Sequence, residues 1–499
     1  MNKRLVLRLL GAIMLIEALA MAPSLAIALF YGDGDASALA YSMVLLGVLG
    51  FPAWRFARPR EQNLRAREGF LVVALSWMLL SAFGALPFVI SGLIPNYIDA
   101  FFEAVSGFTT TGATVLGNFD GLPRGVMFWR SFTHWIGGMG ILVFLLAIIP
   151  LSGGSHMNLM RAESPGPSVG KLVPKLRQTA RLLYLIYVGM TIVQVILLLA
   201  GHMPLFDSLT ITFGTAGTGG FAIKNDSMIS YSPYLQWVTT IFMILFGVNF
   251  NAYYFLLFKR VKKALRMEEV RCYLIIIVAA TAIISVNTYN TVVGAAGTIR
   301  HAAFQVASII TTTGYATTDF NLWPETSKTV LVLLMFIGAC AGSTGGGMKV
   351  SRLIILVKSI FRELRSYLHP NIVRKVKMDG KTVESGTIRA IHVYFFTLIL
   401  LFAISVFAVS FDGHDFITNF TAVATTINNV GPGLGMVGPV ENFGFFSPFA
   451  KIVLTLDMLA GRLELFPLLL LFHPSIWRDM SSHRLKDPRK ALQKQQTVH

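Results

Sequence analysis

Four short stretches of this 499-residue chain combine glycine with threonine or asparagine in a way that suits the binding of a bare cation. They read Thr109-Thr110-Thr111-Gly112-Ala113, Gly217-Thr218-Gly219-Gly220-Phe221, Thr311-Thr312-Thr313-Gly314-Tyr315 and Asn428-Asn429-Val430-Gly431-Pro432. Glycine allows backbone angles that turn consecutive carbonyls toward a shared axis, while threonine and asparagine can supply oxygens or brace a loop from behind. A ring of such oxygens can replace the water shell of a dehydrated monovalent cation.

Each stretch follows a moderately apolar segment that is too short to cross a bilayer. These segments cover residues 96–110, 204–215, 299–312 and 415–428. If Gly112, Gly220, Gly314 and Gly431 are equivalent, the stretches recur about every 100 residues, which suits one repeated unit of helix, half-helix, glycine loop and helix. Non-helical backbone at membrane depth must face protein or a water-filled cavity, so the four loops are expected to face one another.

The elements that would hold these loops are membrane helices. The composition is 54% hydrophobic and only 13% charged, and the mean hydropathy is +0.63. Ten apolar segments are long enough to be candidate spanning helices. They lie near residues 5–30, 38–57, 69–94, 126–150, 181–201, 234–258, 271–293, 329–360, 389–411 and 447–472. The first is too long for an export signal and is interpreted as a retained helix.

The formal charge of +17 is distributed in clusters between the apolar segments. Lysine and arginine crowd alternate loops, above all residues 349–389 and 478–494, while the loops between them carry acidic residues. Because cationic loops resist translocation, the basic loops and both termini are expected in the cytoplasm. Topology and contact with anionic lipid account for the charge, so no nucleic-acid partner is predicted.

The predicted fold class is therefore an all-α polytopic membrane protein with two N-terminal helices and four pore-loop repeats in pseudo-fourfold arrangement. The expected boundaries are 1–68 for the two N-terminal helices, 69–178, 179–268 and 269–383 for the first three repeats, and 384–499 for the fourth repeat with a cytoplasmic tail. The half-helices would point their C-terminal dipole ends at one centre, which favours cations. The alternative is that glycine and other small residues only permit tight helix packing.

One apolar segment is interrupted by a run of small residues between Gly338 and Lys349, which includes Gly345, Gly346 and Gly347. Such a density of glycine should unwind a helix, and the hypothesis is a flexible loop below the glycine ring that obstructs or opens the path. The rival interpretation is a phosphate-binding loop. It lacks the adjacent Gly-Lys-Ser/Thr sequence, and no strand precedes it.

Arg462 lies in the middle of the last apolar segment. An intramembrane cation is costly and nearly always faces protein or water. The hypothesis is that Arg462 projects into the conduit beneath the glycine ring and sets an electrostatic barrier there. The alternative is a buried ion pair with Asp457 or Glu464.

Other unusual residues are assigned to packing or left without a function. Asn249 and Asn251 are expected to hydrogen-bond across helices, and the two cysteines to pack in the interior without a disulfide or metal site. The glycines of segment 135–140 are interpreted as helix-packing residues. The cysteines are Cys272 and Cys340, and the residues left without a function are Arg130 and His134.

These motifs together resemble the Trk potassium-uptake subunits of TrkH or TrkG type, within the superfamily that includes KtrB and plant HKT transporters. The resemblance rests on Thr-Thr-Gly in the first and third units, Gly-Gly-Phe in the second and Asn-Asn-Val-Gly-Pro-Gly in the fourth, with an arginine in the following helix. It covers nearly the whole chain. The two helices before the first unit match the Trk branch.

The resemblance implies potassium uptake across the bacterial inner membrane through a homodimer regulated by a cytoplasmic, TrkA-like nucleotide-binding subunit. It implies potassium as the transported substrate, no organic cofactor in this chain and no enzymatic activity. It also implies a gate formed by Gly345, Gly346, Gly347 and Arg462. The implied filter residues are Thr110, Thr111, Gly112, Thr218, Gly219, Gly220, Thr312, Thr313, Gly314, Asn429, Val430 and Gly431.

Three other functions compete with this interpretation. An ion-coupled secondary solute transporter would need buried carboxylates within its spans, and apart from Glu103, Asp457 and Glu464 there are few. An intramembrane enzyme would need a nucleophile and a base in a suitable pattern, and none stands out. A purely structural scaffold would not need four polar, glycine-rich breaks.

Overall fold

The computed structural model describes residues 2–57, 66–140, 176–289, 294–369 and 374–474. Within these ranges the chain is almost entirely helical, and the one pair of strands is a short antiparallel hairpin of β1 (Lys377–Met378) and β2 (Lys381–Thr382). The all-α membrane architecture expected from the sequence is confirmed.

After the N-terminal helices, the described helices recur in the order of a long helix, a short helix and an outgoing helix. Their bounds are α1 Lys3–Ala20, α2 Ala22–Tyr31, α3 Ala36–Phe56, α4 Ala66–Gly84, α5 Leu86–Ile90, α6 Tyr97–Phe108, α7 Arg124–Gly138, α8 Leu176–Ala200, α9 Leu205–Gly217, α10 Pro233–Phe246, α11 Phe250–Leu257, α12 Val261–Leu265, α13 Glu268–Asn287, α14 Ala295–Ile310, α15 Glu325–Ile337, α16 Val350–Leu368, α17 Ser385–Val409, α18 Phe416–Ile427, α19 Pro448–Arg462 and α20 Phe466–Leu471. Short 3₁₀ turns occupy Phe320–Leu322, Ser410–Asp412 and Gly435–Val437.

Six helical stretches in the described part of the chain are long and apolar enough to cross a bilayer. They are Lys3–Tyr31, Ala36–Phe56, Glu68–Ile90, Arg181–Ala200, Glu268–Asn287 and Ser385–Asp412. The first two pack closely on each other, since Gly11 lies against the backbone of Trp54 and leaves no room for a side chain. The other four each precede one of the short helices α6, α9, α14 and α18, here called the half-helices.

The half-helices form a closed ring with the helices that follow them. Helix α7 packs on α9, α10 on α14 and α15 on α18, and α19 of the last unit returns to α6 of the first. Each unit therefore buries its outgoing helix against the half-helix of the next unit. This cyclic order brings the C-terminal ends of all four half-helices to one centre.

The expectation of one continuous helix was wrong for two of the ten candidate spans, both of which follow half-helices. Segment 234–258 is two helices that meet at 92°, and 447–472 is broken after Arg462. Only the break within 329–360 was predicted. Asn249 causes the first break by capping α11, and left-handed backbone at Glu464 and Leu465 causes the other. A hydropathy pattern does not reveal such turns, because each contains only isolated polar residues within apolar sequence. The later part of segment 126–150 lies outside the described residues.

Candidate functional site

All four half-helices end in the same backbone turn. The residue after the last turn adopts a left-handed conformation, with φ of 56° at Thr110, Thr218 and Asn429 and 59° at Thr312. The amide of the next residue then donates a hydrogen bond to the carbonyl oxygen five residues earlier, as from Thr111 to Ser106 at 2.9 Å. This pair of features defines a Schellman motif, which normally carries glycine at the left-handed position. The equivalent five-residue bonds run from Gly219 to Gly214, Thr313 to Ser308 and Val430 to Thr425, each at 2.8 Å.

A glycine with positive φ follows each turn at the same distance. The φ values are 84°, 70°, 89° and 99° at Gly112, Gly220, Gly314 and Gly431. The identical offset places Gly220, and not Gly219, in register with the glycines of the other units.

These glycines interlock around the centre. A β-carbon on Gly112 would overlap the carbonyl oxygen of Gly219, and one on Gly431 would lie 2.7 Å from the carbonyl oxygen of Thr111. The two remaining junctions are Gly220 with the carbonyl of Thr313 and Gly314 with the carbonyl of Val430. The chain of contacts runs from unit one through unit four and back to unit one. We call this closed set of four glycine loops the glycine ring.

The carbonyls of the two residues before each ring glycine receive no hydrogen bond from any described residue. They belong to Thr110, Thr111, Thr218, Gly219, Thr312, Thr313, Asn429 and Val430, all of which are buried. Buried carbonyls without a donor are costly and are seldom left unpaired. Oxygens of this kind, together with the negative ends of four half-helix dipoles, provide an environment that favours a dehydrated cation.

Side chains brace the ring from behind. The hydroxyls of Thr109 and Thr111 lie 2.8 Å apart, and those of Thr311 and Thr313 2.7 Å apart. Asn429 donates across the ring to the Thr111 hydroxyl at 2.9 Å, which joins units four and one. Threonine and asparagine thus brace the loops, one of the two roles that the sequence suggested.

Two residues to which the sequence assigned no function contact the ring directly. His134 accepts a hydrogen bond at Nε2 from the amide of Phe221 at 3.2 Å, and its Nδ1 lies 2.8 Å from the carbonyl oxygen of Gly107. Arg130 forms a buried ion pair with Glu103 and also reaches the carbonyl of Ala222. The sequence carried a weak signal for both, since a cation and an imidazole within an apolar segment are rarely lipid-facing.

The ring opens on one side into a cavity of about 100 Å³. Its floor contains Gly112, Gly220, Gly314 and Gly431, and polar side chains of the loops beyond the ring line its walls. Nearby, Asp415 caps α18 by accepting hydrogen bonds from the hydroxyl and amide of Thr418, and these bonds lower the pKa of its carboxyl group. The capping anchors one half-helix at its outer end.

The glycine-rich segment 338–349 lies directly against the other side of the ring. The amide of Gly346 donates to the Thr312 hydroxyl at 2.6 Å. A β-carbon on Gly345 would lie 3.0 Å from the carbonyl oxygen of Thr311, and one on Gly346 would lie 2.8 Å from that of Asn428. As expected, the segment separates α15 from α16. Its small residues allow it to contact two units of the ring at once.

A buried carboxylate that sequence analysis did not single out fixes this segment. Glu269, in the first turn of α13, accepts hydrogen bonds from the amides of Ala341 at 2.6 Å and Ser351 at 3.1 Å. It also accepts one from the side chain of Asn249 at 3.1 Å, so the cross-helix bond predicted for Asn249 is confirmed. The Lys349 ammonium caps the carbonyls of Gly345 and Gly346. The segment is therefore held at both ends by charged groups.

Arg462 is the last residue of α19, not the middle of a continuous span. Its guanidinium donates to the carbonyl of Thr344, at 3.0 Å, and to the carbonyls of Gly137 and Gly138. It therefore joins segment 338–349 to the end of α7. The carboxylates proposed as its alternative partners have other contacts: Glu464 pairs with Arg352, and Asp457 accepts a bond from Ser405 at 2.7 Å.

The glycines of segment 135–140 have two roles. Gly137 lies against the carbonyl of Phe108 and Gly138 against Gly217, which confirms the expected packing. Their own carbonyls accept the hydrogen bonds from Arg462, a role that packing alone did not suggest.

Comparison with known proteins gives consistent matches along the chain. The family model TrkH, described as a cation transport protein, matches residues 37–484. The Trk system potassium uptake proteins TrkH of Salmonella typhimurium and TrkG of Escherichia coli are 38% and 33% identical to this chain. Those alignments cover 96% and 95% of this chain and 100% and 99% of the relatives. The crystal structure of the potassium transporter TrkH from Vibrio parahaemolyticus superposes with a TM-score of 0.86 at 34% identity, covering 96% of this chain and 100% of that one.

Replacement of Gly314 by serine should disrupt the ring. The left-handed backbone alone costs an L-residue about 1–2 kcal/mol, and the new β-carbon would collide with the Val430 carbonyl and lie 2.9 Å from Pro432 Cδ. We expect loss of growth under potassium limitation with the protein still in the membrane. The matched control is Gly189→Ser, on the exposed face of α8 with open space around it, which should grow normally. Equal growth of both variants would contradict a tightly interlocked ring.

Proposed function

Because this chain belongs to the TrkH family of cation transport proteins, we propose that it carries potassium into the cell along a path through the centre of the glycine ring. The observation that supports this most directly is the set of buried carbonyls at that centre that receive no hydrogen bond from a described residue. The relatives named potassium uptake proteins support potassium as the transported ion. An ion-coupled secondary solute transporter is the second candidate that the sequence left open.

The proposed selectivity filter is the ring itself, with three residues from each unit. They are Thr110, Thr111 and Gly112, Thr218, Gly219 and Gly220, Thr312, Thr313 and Gly314, and Asn429, Val430 and Gly431. The carbonyls before each glycine would replace the hydration shell of potassium, and the half-helix dipoles would offset its charge. The side-chain hydrogen bonds behind the ring would keep the carbonyl oxygens from moving toward the centre to coordinate a smaller ion.

We propose that segment 338–349 and Arg462 form the gate. The segment lies below the ring in contact with units three and four, and Arg462 ties it to α7. Gly345, Gly346 and Gly347 give it the freedom to move, while the guanidinium would repel a cation beneath the ring. Opening would require release of the bonds from Glu269, Lys349 and Arg462.

The chain is a membrane protein, and we propose the bacterial inner membrane with both termini in the cytoplasm. The proposed unit boundaries remain 69–178, 179–268, 269–383 and 384–499 after the N-terminal pair 1–68. The relatives are named as parts of a Trk system, which supports a multi-component assembly. We propose a homodimer that binds a TrkA-like nucleotide-binding subunit through its basic cytoplasmic surfaces at 152–180 and 351–389. Of the first of these surfaces, residues 152–175 lie outside the described residues.

Flux measurements on purified protein in lipid vesicles test the transport proposal. Potassium should enter in response to an inside-negative potential, with no dependence on an organic solute. Sodium in excess should compete only weakly. A flux that requires an organic co-substrate would overturn the pore proposal in favour of the second candidate, and no cation flux at all would overturn both.

Glu269→Ala should loosen the gate. Hydrogen bonds to a charged group contribute roughly 1.5–3 kcal/mol each, so loss of those from Ala341 and Ser351 should raise resting potassium flux tenfold or more. Glu268→Ala is the matched control, because the adjacent carboxylate pairs with Lys358 and not with the segment. Resting flux in vesicles is the measurement. An increase of equal size in both variants would indicate a general loosening of α13.

Arg462→Ala should remove the proposed barrier beneath the ring. A unit charge near the path contributes on the order of 1–4 kcal/mol at effective dielectric constants of proteins. Inward flux should rise and depend less steeply on membrane potential, as measured in vesicles clamped at several potentials with potassium gradients. Unaltered flux and voltage dependence would contradict both the electrostatic barrier and the role of Arg462 in holding segment 338–349 closed.

A further inference from the structure

A fully buried ion pair lies behind the glycine ring, between the first and second units. Glu103 belongs to half-helix α6 and Arg130 to α7, and Nε of Arg130 lies 2.6 Å from Oε1 of Glu103. The side chains are 0% and 1% exposed. Burying two charges costs more than their attraction returns unless additional hydrogen bonds complete the site, so the other contacts of this pair are informative.

Glu103 binds the chain segment that leaves the ring in the first unit. Its carboxylate accepts a hydrogen bond from the Thr114 hydroxyl at 2.8 Å and another from the Val115 amide at 2.9 Å. Thr114 follows the ring glycine Gly112 by two residues. The carboxylate therefore fixes the backbone immediately outside the first ring position.

Arg130 binds the corresponding chain segment of the second unit. Its Nη1 donates to the carbonyl of Ala222 at 2.9 Å, two residues after Gly220. The guanidinium also stacks over the Phe221 ring, with 3.5 Å between its central carbon and the ring centroid. One planar cation thus spans from the carboxylate of unit one to the backbone of unit two, a geometry for which arginine is suited and lysine is not.

In the third and fourth units, neutral side chains brace the backbone that follows the ring glycine. Ser308 donates to the Tyr315 carbonyl at 2.6 Å, and Thr421 both donates to and accepts from Leu434. Nine residues before the ring glycines stand Glu103, Ile211, Gln305 and Ala422, so the first unit alone has a charge at this position. The charged clamp is therefore a specific feature of one half of the ring.

Arg130 also lines the cavity above the ring, together with Gly112 and Gly220. A cation waiting there would be repelled by an uncompensated guanidinium. Glu103 neutralises that charge at hydrogen-bonding distance, so the pair supplies rigidity without an electrostatic barrier.

We infer that the Glu103–Arg130 pair is a specificity-determining clamp, which fixes the spacing of the chain segments that leave the first two ring loops and so keeps the ring from contracting around a smaller cation. This inference rests on the proposed function of the ring as a potassium filter. Both residues are positioning residues, because they act through the Thr114 hydroxyl and the backbone of Val115 and Ala222.

Arg130→Lys is the principal test. Lysine keeps the positive charge beside Glu103 but lacks the planar fork that reaches Ala222 at the same time. We expect potassium flux to persist in vesicles while the preference for potassium over sodium falls at least fivefold. In the purified protein, the extra thermal stabilisation by potassium chloride over sodium chloride should shrink in parallel, since bound ligand stabilises by mass action.

Glu103→Gln provides a second readout with a defined sign. It leaves the guanidinium uncompensated at the cavity, so the KM for potassium should rise about tenfold with a smaller effect on maximal flux. Lys451→Gln is the control, since it removes another ion pair, 2.7 Å long with side chains 6% and 23% exposed, that joins α19 to Asp99 of α6 and not to the segments that leave the ring. It should leave the ion preference unchanged.

The outcomes separate this inference from the one on which it rests. Wild-type flux that is selective, and equally selective in Arg130→Lys with an unchanged salt-specific thermal shift, overturns the clamp and leaves the filter proposal intact. An equal loss of preference in Lys451→Gln would also overturn it, because any buried pair would then suffice. Absence of cation flux in the wild-type protein would overturn the filter proposal, and the clamp with it.

Discussion

The structure depends on backbone carbonyls that have no hydrogen-bond donor within the described chain although they lie in its interior. In a membrane such groups cost several kcal/mol each unless something replaces the missing donors. Four half-helices bring them to one centre, and each half-helix satisfies its own terminal carbonyls through a Schellman turn before the ring begins. The ring oxygens have no donor among the described residues, and they lie together at the proposed ion path.

The surrounding helices and side chains make that arrangement rigid. Each outgoing helix packs on the next half-helix, and the last closes on the first, so no unit can move without its neighbour. The bracing is uneven: a buried ion pair joins the first two units, while hydroxyls and the Asn429 amide serve the others. A buried ion pair costs more desolvation free energy than a neutral hydrogen bond does. The ion pair joins units one and two, whereas segment 338–349 contacts the ring loops of units three and four.

Breaks in the outgoing helices bring polar groups together below the ring. Helices α10, α15 and α19 end at Phe246, Ile337 and Arg462, and polar groups next to these breaks contact one another. Glu269 satisfies the amides of segment 338–349 and the Asn249 side chain together, and Arg462 satisfies carbonyls from two units. Each of these charged residues stabilises non-helical backbone next to a helix break. Because both bind segment 338–349 or its flanking residues, substitution of one is expected to alter the contacts of the other.

The sequence by itself determined the membrane class, the four glycine loops, the half-helices to within a few residues, and the break at 338–349, because hydropathy, length and glycine content are local properties. It did not determine the breaks near Asn249 and after Arg462, where a cap or two left-handed residues interrupt an apolar segment without changing its hydropathy. Nor did it indicate that Glu103, Arg130, His134 and Glu269 contact the ring or the segment below it. Those contacts join residues from different helices, and only the packing of the four units around one centre decides which polar groups meet.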